Sequence, residues 1–195
     1  HLVAIGDGSS DVSSLSATIG PAAGAVTWDG DDAIAYLPGD RNSGGTCAVM
    51  RIDLSSVGNT RCLLPTATLQ SVFAQDGSTW FVAGITGTSD SGLFSLDLIT
   101  SGTTPTHGAI GVLNTSAEAT PFRVLQSTVV QNIELEDVAN SVLVDGGNRI
   151  LYDRYPGGQH QSPFRILVVS LDLATGVQTT VTTASDMNGL GATSG

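Results

Sequence analysis

Residues 141–152, SVLVDGGNRILY, followed after a polar stretch by residues 166–176, ILVVSLDLATG, decide how the chain is to be folded. An apolar run ends at Asp145-Gly146, a second run leads from Arg149 to Tyr152, and a third ends at Asp172-Leu173 ahead of Gly176. Asp-Gly predicts a tight hairpin, because Gly accepts positive φ and Asp bonds its own backbone two residues on. The Leu-Ala-Thr-Gly after Asp172 predicts a second turn, with Gly176 supplying the residue of positive φ. Residues 166–173 between these marks are almost wholly apolar, as in a strand covered on both faces.

The same grammar occurs twice upstream. AVTWDGDDAIAYL (25–37) precedes AVMRIDLSSVG (48–58), and SVFAQDGSTWFVA (71–83) precedes GLFSLDLITSG (92–102). The Asp-Gly marks are Asp29-Gly30, Asp76-Gly77 and Asp145-Gly146; the Asp-Leu marks are Asp53-Leu54, Asp97-Leu98 and Asp172-Leu173. Successive Asp-Gly pairs lie 47 and then 69 residues apart. A period of about 45 is the length of one four-stranded propeller blade, so an insertion follows the second unit. Blades are expected at 25–70, at 71–102 with an insertion over 103–140, and at 141–183.

Three copies in this order resemble the WD-like repeat of TolB and of the non-catalytic propellers in prolyl-oligopeptidase-type enzymes. The resemblance implies an all-β chain, a β-propeller of four-stranded blades with about three blades visible. Residues 103–140 depart from the repeat, and the first 24 residues offer at most a strand over 1–5. Propellers close with about 4 to 8 blades. Three blades leave bare sheet faces and edges, so the expected partner is another polypeptide chain or fragment completing the ring.

Composition narrows the rest. A chain of 195 residues suits one domain with a substantial core. Eighteen acids against seven bases give a net charge of −11, which argues against nucleic acid, whose phosphates need a basic surface. No apolar run reaches the length of a transmembrane helix. With three Glu and no Lys, the polar helix formers are largely missing, and only 117–130 reads as a marginal helix. An acidic, Lys-free, Ser/Thr-rich chain beginning at His1 is expected to be secreted, periplasmic or on the cell surface.

Little in the sequence points to catalysis. The Gly-x-Ser-x-Gly elbow is absent, and His107 and His160 stand in Gly-rich stretches read as surface loops. Spacing for zinc or haem is missing. Calcium is the one cation the pattern admits, at 6–11 and 29–32, and turn formation is preferred for both, so no cofactor is expected. Gly44-Gly45 and Gly157-Gly158 lack the following Lys of a phosphate cradle. Glu134, Glu136 and Asp137 read as a wet strand or loop rather than a glycosidase pair.

Binding is then expected on the longer loops joining the second and third strands of each blade, taken as 38–46, 84–91 and 153–163. Functional variation concentrates in such loops, and Arg and Tyr are enriched at interface hot spots. The residues expected there are Asp40, Arg41, Asn42, Thr88, Asp90, Arg154, Tyr155, Gln159 and His160. The expected function is a non-catalytic exported propeller acting as a binding or scaffold module. The alternative is an accessory propeller of a prolyl-oligopeptidase-type hydrolase whose catalytic part lies outside this chain. A propeller enzyme or calcium-dependent carbohydrate binder ranks third.

Cys47 and Cys62 are expected to stay unbridged, although export favours a disulfide. A hairpin turning at 56–57 sets Cys62 opposite Arg51, four residues from Cys47. At about 3.3 Å per residue that is roughly 13 Å, whereas a bridge needs Cα atoms within about 7 Å.

Overall fold

The computed structural model describes residues 25–29, 32–36, 46–53, 60–72, 79–87, 92–101, 108–116, 122–127, 136–156 and 165–185. Twelve strands form three antiparallel four-stranded sheets, each a meander in chain order. The first holds β1 (Ala25–Asp29), β2 (Asp32–Tyr36), β3 (Cys47–Ile52) and β4 (Thr60–Pro65). A short helix, α1 (Thr66–Val72), leads to the second, made of β5 (Thr79–Gly87), β6 (Leu93–Ser101), β7 (Gly108–Asn114) and β8 (Phe122–Ser127). The third holds β9 (Glu136–Val144), β10 (Arg149–Pro156), β11 (Arg165–Asp172) and β12 (Gln178–Ser185).

The turns of the third sheet carry out what their residues dictate. Asp145 and Gly146 are both left-handed, at φ 56° and 62°, and Gly147 follows at φ 89°, so the hairpin closes through a longer connection than a bare Asp-Gly turn, with Val144 paired to Arg149. After β11 the Asp172 carboxylate accepts the N–H groups of Ala174 at 3.1 Å and Thr175 at 2.8 Å, and the Thr175 hydroxyl at 2.8 Å. These bonds, the Thr175 N–H first among them, hold the Asp172 carboxyl below its ordinary pKa. Gly176 completes the turn at φ +72°, with open space where a Cβ would stand. Only backbone strain therefore opposes a side chain there, and Gly176→Ala should cost about 1–2 kcal/mol. Chemical denaturation checks this; an unchanged midpoint would mean that the turn has another conformation.

The second sheet lies in the middle of the stack. Its strand β5 packs against β1, β2 and β3, while β9 packs against β5, β6 and β7. Two cores result. Trp80, Val82, Phe94, Leu96, Leu98, Ala109 and Leu113 meet Ala48, Val49, Leu64 and Leu69 from the first sheet and α1. On the other side, Ile110 and Val112 meet Val138, Leu143, Ile150, Tyr152, Val169 and Leu171. Strand β7 thus sends alternate residues into each core, which is why every residue from Gly108 to Leu113 is buried. Within the second sheet Gly87 leaves room for its cross-strand partner, since a Cβ there would run into the Phe94 ring.

Several expectations need correcting. The second unit is out of step with the other two. Its first strand is Thr79–Gly87, so Asp76-Gly77 precedes the sheet instead of joining its first two strands. Asp97-Leu98 sits within β6, the second strand, and not at the end of the third. Residues 103–140 are no insertion: they carry β7, β8 and the start of β9, which complete the second sheet and open the third. The stretch read as a marginal helix contains strand β8, because pairing with β7 overrides local propensity. The helix that does form, Thr66–Val72, was not expected; Leu69, fully buried, anchors it.

Cys47 and Cys62 are joined by a disulfide, with Cα atoms 5.7 Å apart. The uninterrupted ladder assumed from the sequence does not exist. Strand β4 pairs Cys62 with Met50, and register shifts fall between Cys47 and Val49 and again between Val49 and Met50. Bulges bend and twist a strand, and here they take up the distance that an ideal ladder would leave.

Candidate functional site

The residues expected to form one binding face do not gather. Asp40, Arg41, Asn42, Thr88, Asp90, Gln159 and His160 lie outside the described residues. Their positions in the chain are not equivalent either. Thr88 and Asp90 fall between β5 and β6, the first and second strands of their sheet, whereas the others fall between second and third strands. Arg154 and Tyr155 belong to strand β10 rather than to a loop, and Tyr155 is buried.

Tyr155 instead joins a polar cluster where the third sheet meets the second. The cluster is built around a bulge in β9. Asp153 pairs with Ala139 and Leu151 with Val142, so Asn140 and Ser141 stand opposite Tyr152 alone. Asn140 takes φ +55°, one of two non-glycine residues at positive φ among the described residues. Asn tolerates this conformation better than most side chains. Its amide donates to the Asp153 carboxylate at 2.9 Å and to the Tyr155 hydroxyl at 3.3 Å, and that hydroxyl contacts Asp153 at 3.4 Å.

Strands β5 and β6 hold the bulge from the second sheet. Asp97 accepts the Ser141 N–H at 2.9 Å. Thr86 donates its hydroxyl to the Ser141 carbonyl at 2.8 Å and shares a 2.6 Å hydrogen bond with Ser95. Gly84 pairs with Asp97 and leaves room for its carboxylate, which would stand 3.0 Å from a Cβ there. The Ser141 hydroxyl is fully enclosed and makes no well-directed hydrogen bond. Burial raises the Asp97 pKa, outweighing the donors at Ser141 and Asn140, and the nearby charge of Asp153 raises it further.

Chemically this is a carboxyl, its pKa raised, that organises backbone donors from the neighbouring sheet. Among the described residues no group of three or more His, Cys, Asp or Glu gathers. Asp29 is buried and stands 3.3 Å from the Arg51 guanidinium, a charge contact within the first sheet. Sequence reasoning missed Asp97 because it took the residue for a turn former. The one local sign of the site was Asn140-Ser141 interrupting an apolar run.

The two end sheets present a different feature. On the third sheet, Val142, Val177 and Val181 are 41%, 59% and 57% exposed. Val142, paired with Leu151 and alternating with the core residue Leu143, faces away from the second sheet, and Val177 and Val181 line a groove there with Arg149, Leu151, Asp172 and Thr179. On the first sheet, Trp28 of β1 is 53% exposed. No protein-family model matches the chain, and no curated protein matches it.

Proposed function

We propose that the three sheets are consecutive blades of an incomplete β-propeller, and that the protein is a non-catalytic binding or scaffold module. The observation that carries this is the difference between inner and outer faces. Inner faces are packed into two cores, while the outward face of the third sheet leaves three valines in water. The proposed occupant is a further four-stranded β-sheet with an apolar face, supplied by another polypeptide chain or segment. Continuity supports it: β5 lies on the first sheet and β9 on the second, so the next sheet in the series would lie on the third.

Contacts that select the partner are proposed for the second-to-third connections, which carry Asp40, Arg41 and Asn42 in the first sheet and Gln159 and His160 in the third. An exported location is proposed as well, since the Cys47–Cys62 bridge suits an oxidising compartment. No helix among the described residues is long and apolar enough to cross a membrane.

The double variant V177D/V181D tests the open face. Both side chains are exposed, so stability should change by no more than about 0.5 kcal/mol per site. The wild-type chain should bind the dye ANS or self-associate in sedimentation at rising concentration, and the variant should do neither. A wild-type chain that stays monomeric and leaves the dye dark would overturn the proposal.

A further inference from the structure

We propose that the Asp97 carboxyl and the β9 bulge form a proton-operated latch that sets how tightly the third sheet is held against the second. The hydrogen bonds cross from one sheet to the other and grip a single residue on both sides. Ser141 gives its N–H to Asp97 and receives the Thr86 hydroxyl on its carbonyl. The bulge that aims these groups depends on Asn140 at positive φ, a conformation that costs free energy and persists only where its surroundings fix it. The enclosed Ser141 hydroxyl lies beside the same carboxyl.

The groups around Asp97 make its charge costly. From β5 come Gly84 and Thr86, and from β7 Ile110, none of which titrates. From β10 come Asp153 and Tyr155, with Arg154 on the alternate side of the strand. Asp153 is the neighbour whose charge raises the Asp97 pKa, while burial raises it most. A folded-state pKa above the unfolded one means that the native protein binds the proton more tightly. Stability at this junction is then greatest in acid, and it falls as pH rises from the unfolded value through the raised folded value.

Amide hydrogen exchange measures the latch locally. The N–H groups of Ser141 and Leu143 in β9 should lose protection severalfold between about pH 4 and about pH 7, after correction for intrinsic exchange. The amides of the β11–β12 hairpin, which report the general repulsion within an acidic chain, should change less. Asp97→Asn, which keeps the shape and removes the titration, should abolish the difference between the two regions. Asp153→Asn should keep the difference and move it to lower pH, because a repelling charge is gone. Parallel pH profiles for wild type and Asp97→Asn would overturn the latch. If Asp97→Asn does not fold, an unmoved profile in Asp153→Asn overturns it equally.

Discussion

Trp80→Ala is expected to remove about 3–5 kcal/mol of stability, the range for truncating a fully buried tryptophan. Trp80 is 1% exposed and sits in the core that joins the first and second sheets. Its backbone is held as firmly as its ring. The Gln70 side chain donates to the Trp80 carbonyl at 2.7 Å and accepts its N–H at 3.0 Å, so an amide from α1 stands in for a neighbouring strand. Truncation would open a cavity beneath Val82 and Phe94 and loosen the seat of α1 at once. Since whole domains are stable by only about 5–15 kcal/mol, this one change should bring the chain close to unfolding. Circular dichroism in a denaturant series is the suitable measurement, because the variant retains only the exposed Trp28 as a tryptophan reporter. A loss below about 1 kcal/mol would mean that the first two sheets do not share a core.

What was legible in the sequence follows the turns. In the third unit Gly146 and Gly176 have backbone jobs that few other residues perform, and both take the positive φ predicted for them. A turn is local physics, so local sequence suffices. Asp76-Gly77 shows the limit: the same dipeptide outside a pair of matched strands marks no hairpin within the sheet. Strand β7 was overlooked for a related reason. Its sequence, GAIGVLN, has two glycines and no clean alternation, because a strand covered on both faces needs small residues where neighbours press close. Gly111, against the Phe122 ring, is one such place.

The polar junction was less legible because its parts are 44 residues apart in sequence. Nothing next to Asp97 announces that Ser141 will meet it. An Asp before Leu in an apolar run looks like a strand ending at a turn, and only the packing of β9 across β6 turns it into a half-buried carboxyl. Asn140-Ser141 carried a hint, since a polar pair within VANSVLV has no place on an uninterrupted buried strand. A bulge gives that pair its place. The outward valines of the third sheet were hidden by another ambiguity. Val177 and Val181 stand among threonines in VQTTVTT, a pattern that fits a covered face and a bare one equally.

Opening the Cys47–Cys62 disulfide is the other change with a large expected effect. Chain-entropy estimates for a closed loop of this size give about 3 kcal/mol. For a chain of this length that corresponds to a midpoint lower by roughly 6–12 °C. Geometry adds a reason for the loss to spread. The bridge ties β3 to β4, and β4 runs without a break into α1. That helix brings Leu69 to the core and Gln70 to Trp80, so slack in β4 reaches the seam between two sheets. Cys62 is exposed, which gives a reductant access without prior unfolding. Thiol titration in denaturant should find no free thiol before reduction and two after it. The Cys62→Ser variant should melt at the temperature of the reduced wild type, with Cys47 as its single thiol. Two free thiols in the untreated protein would mean that the bulges of β3 and β4 do not form, and that the first sheet keeps the plain ladder its sequence suggests.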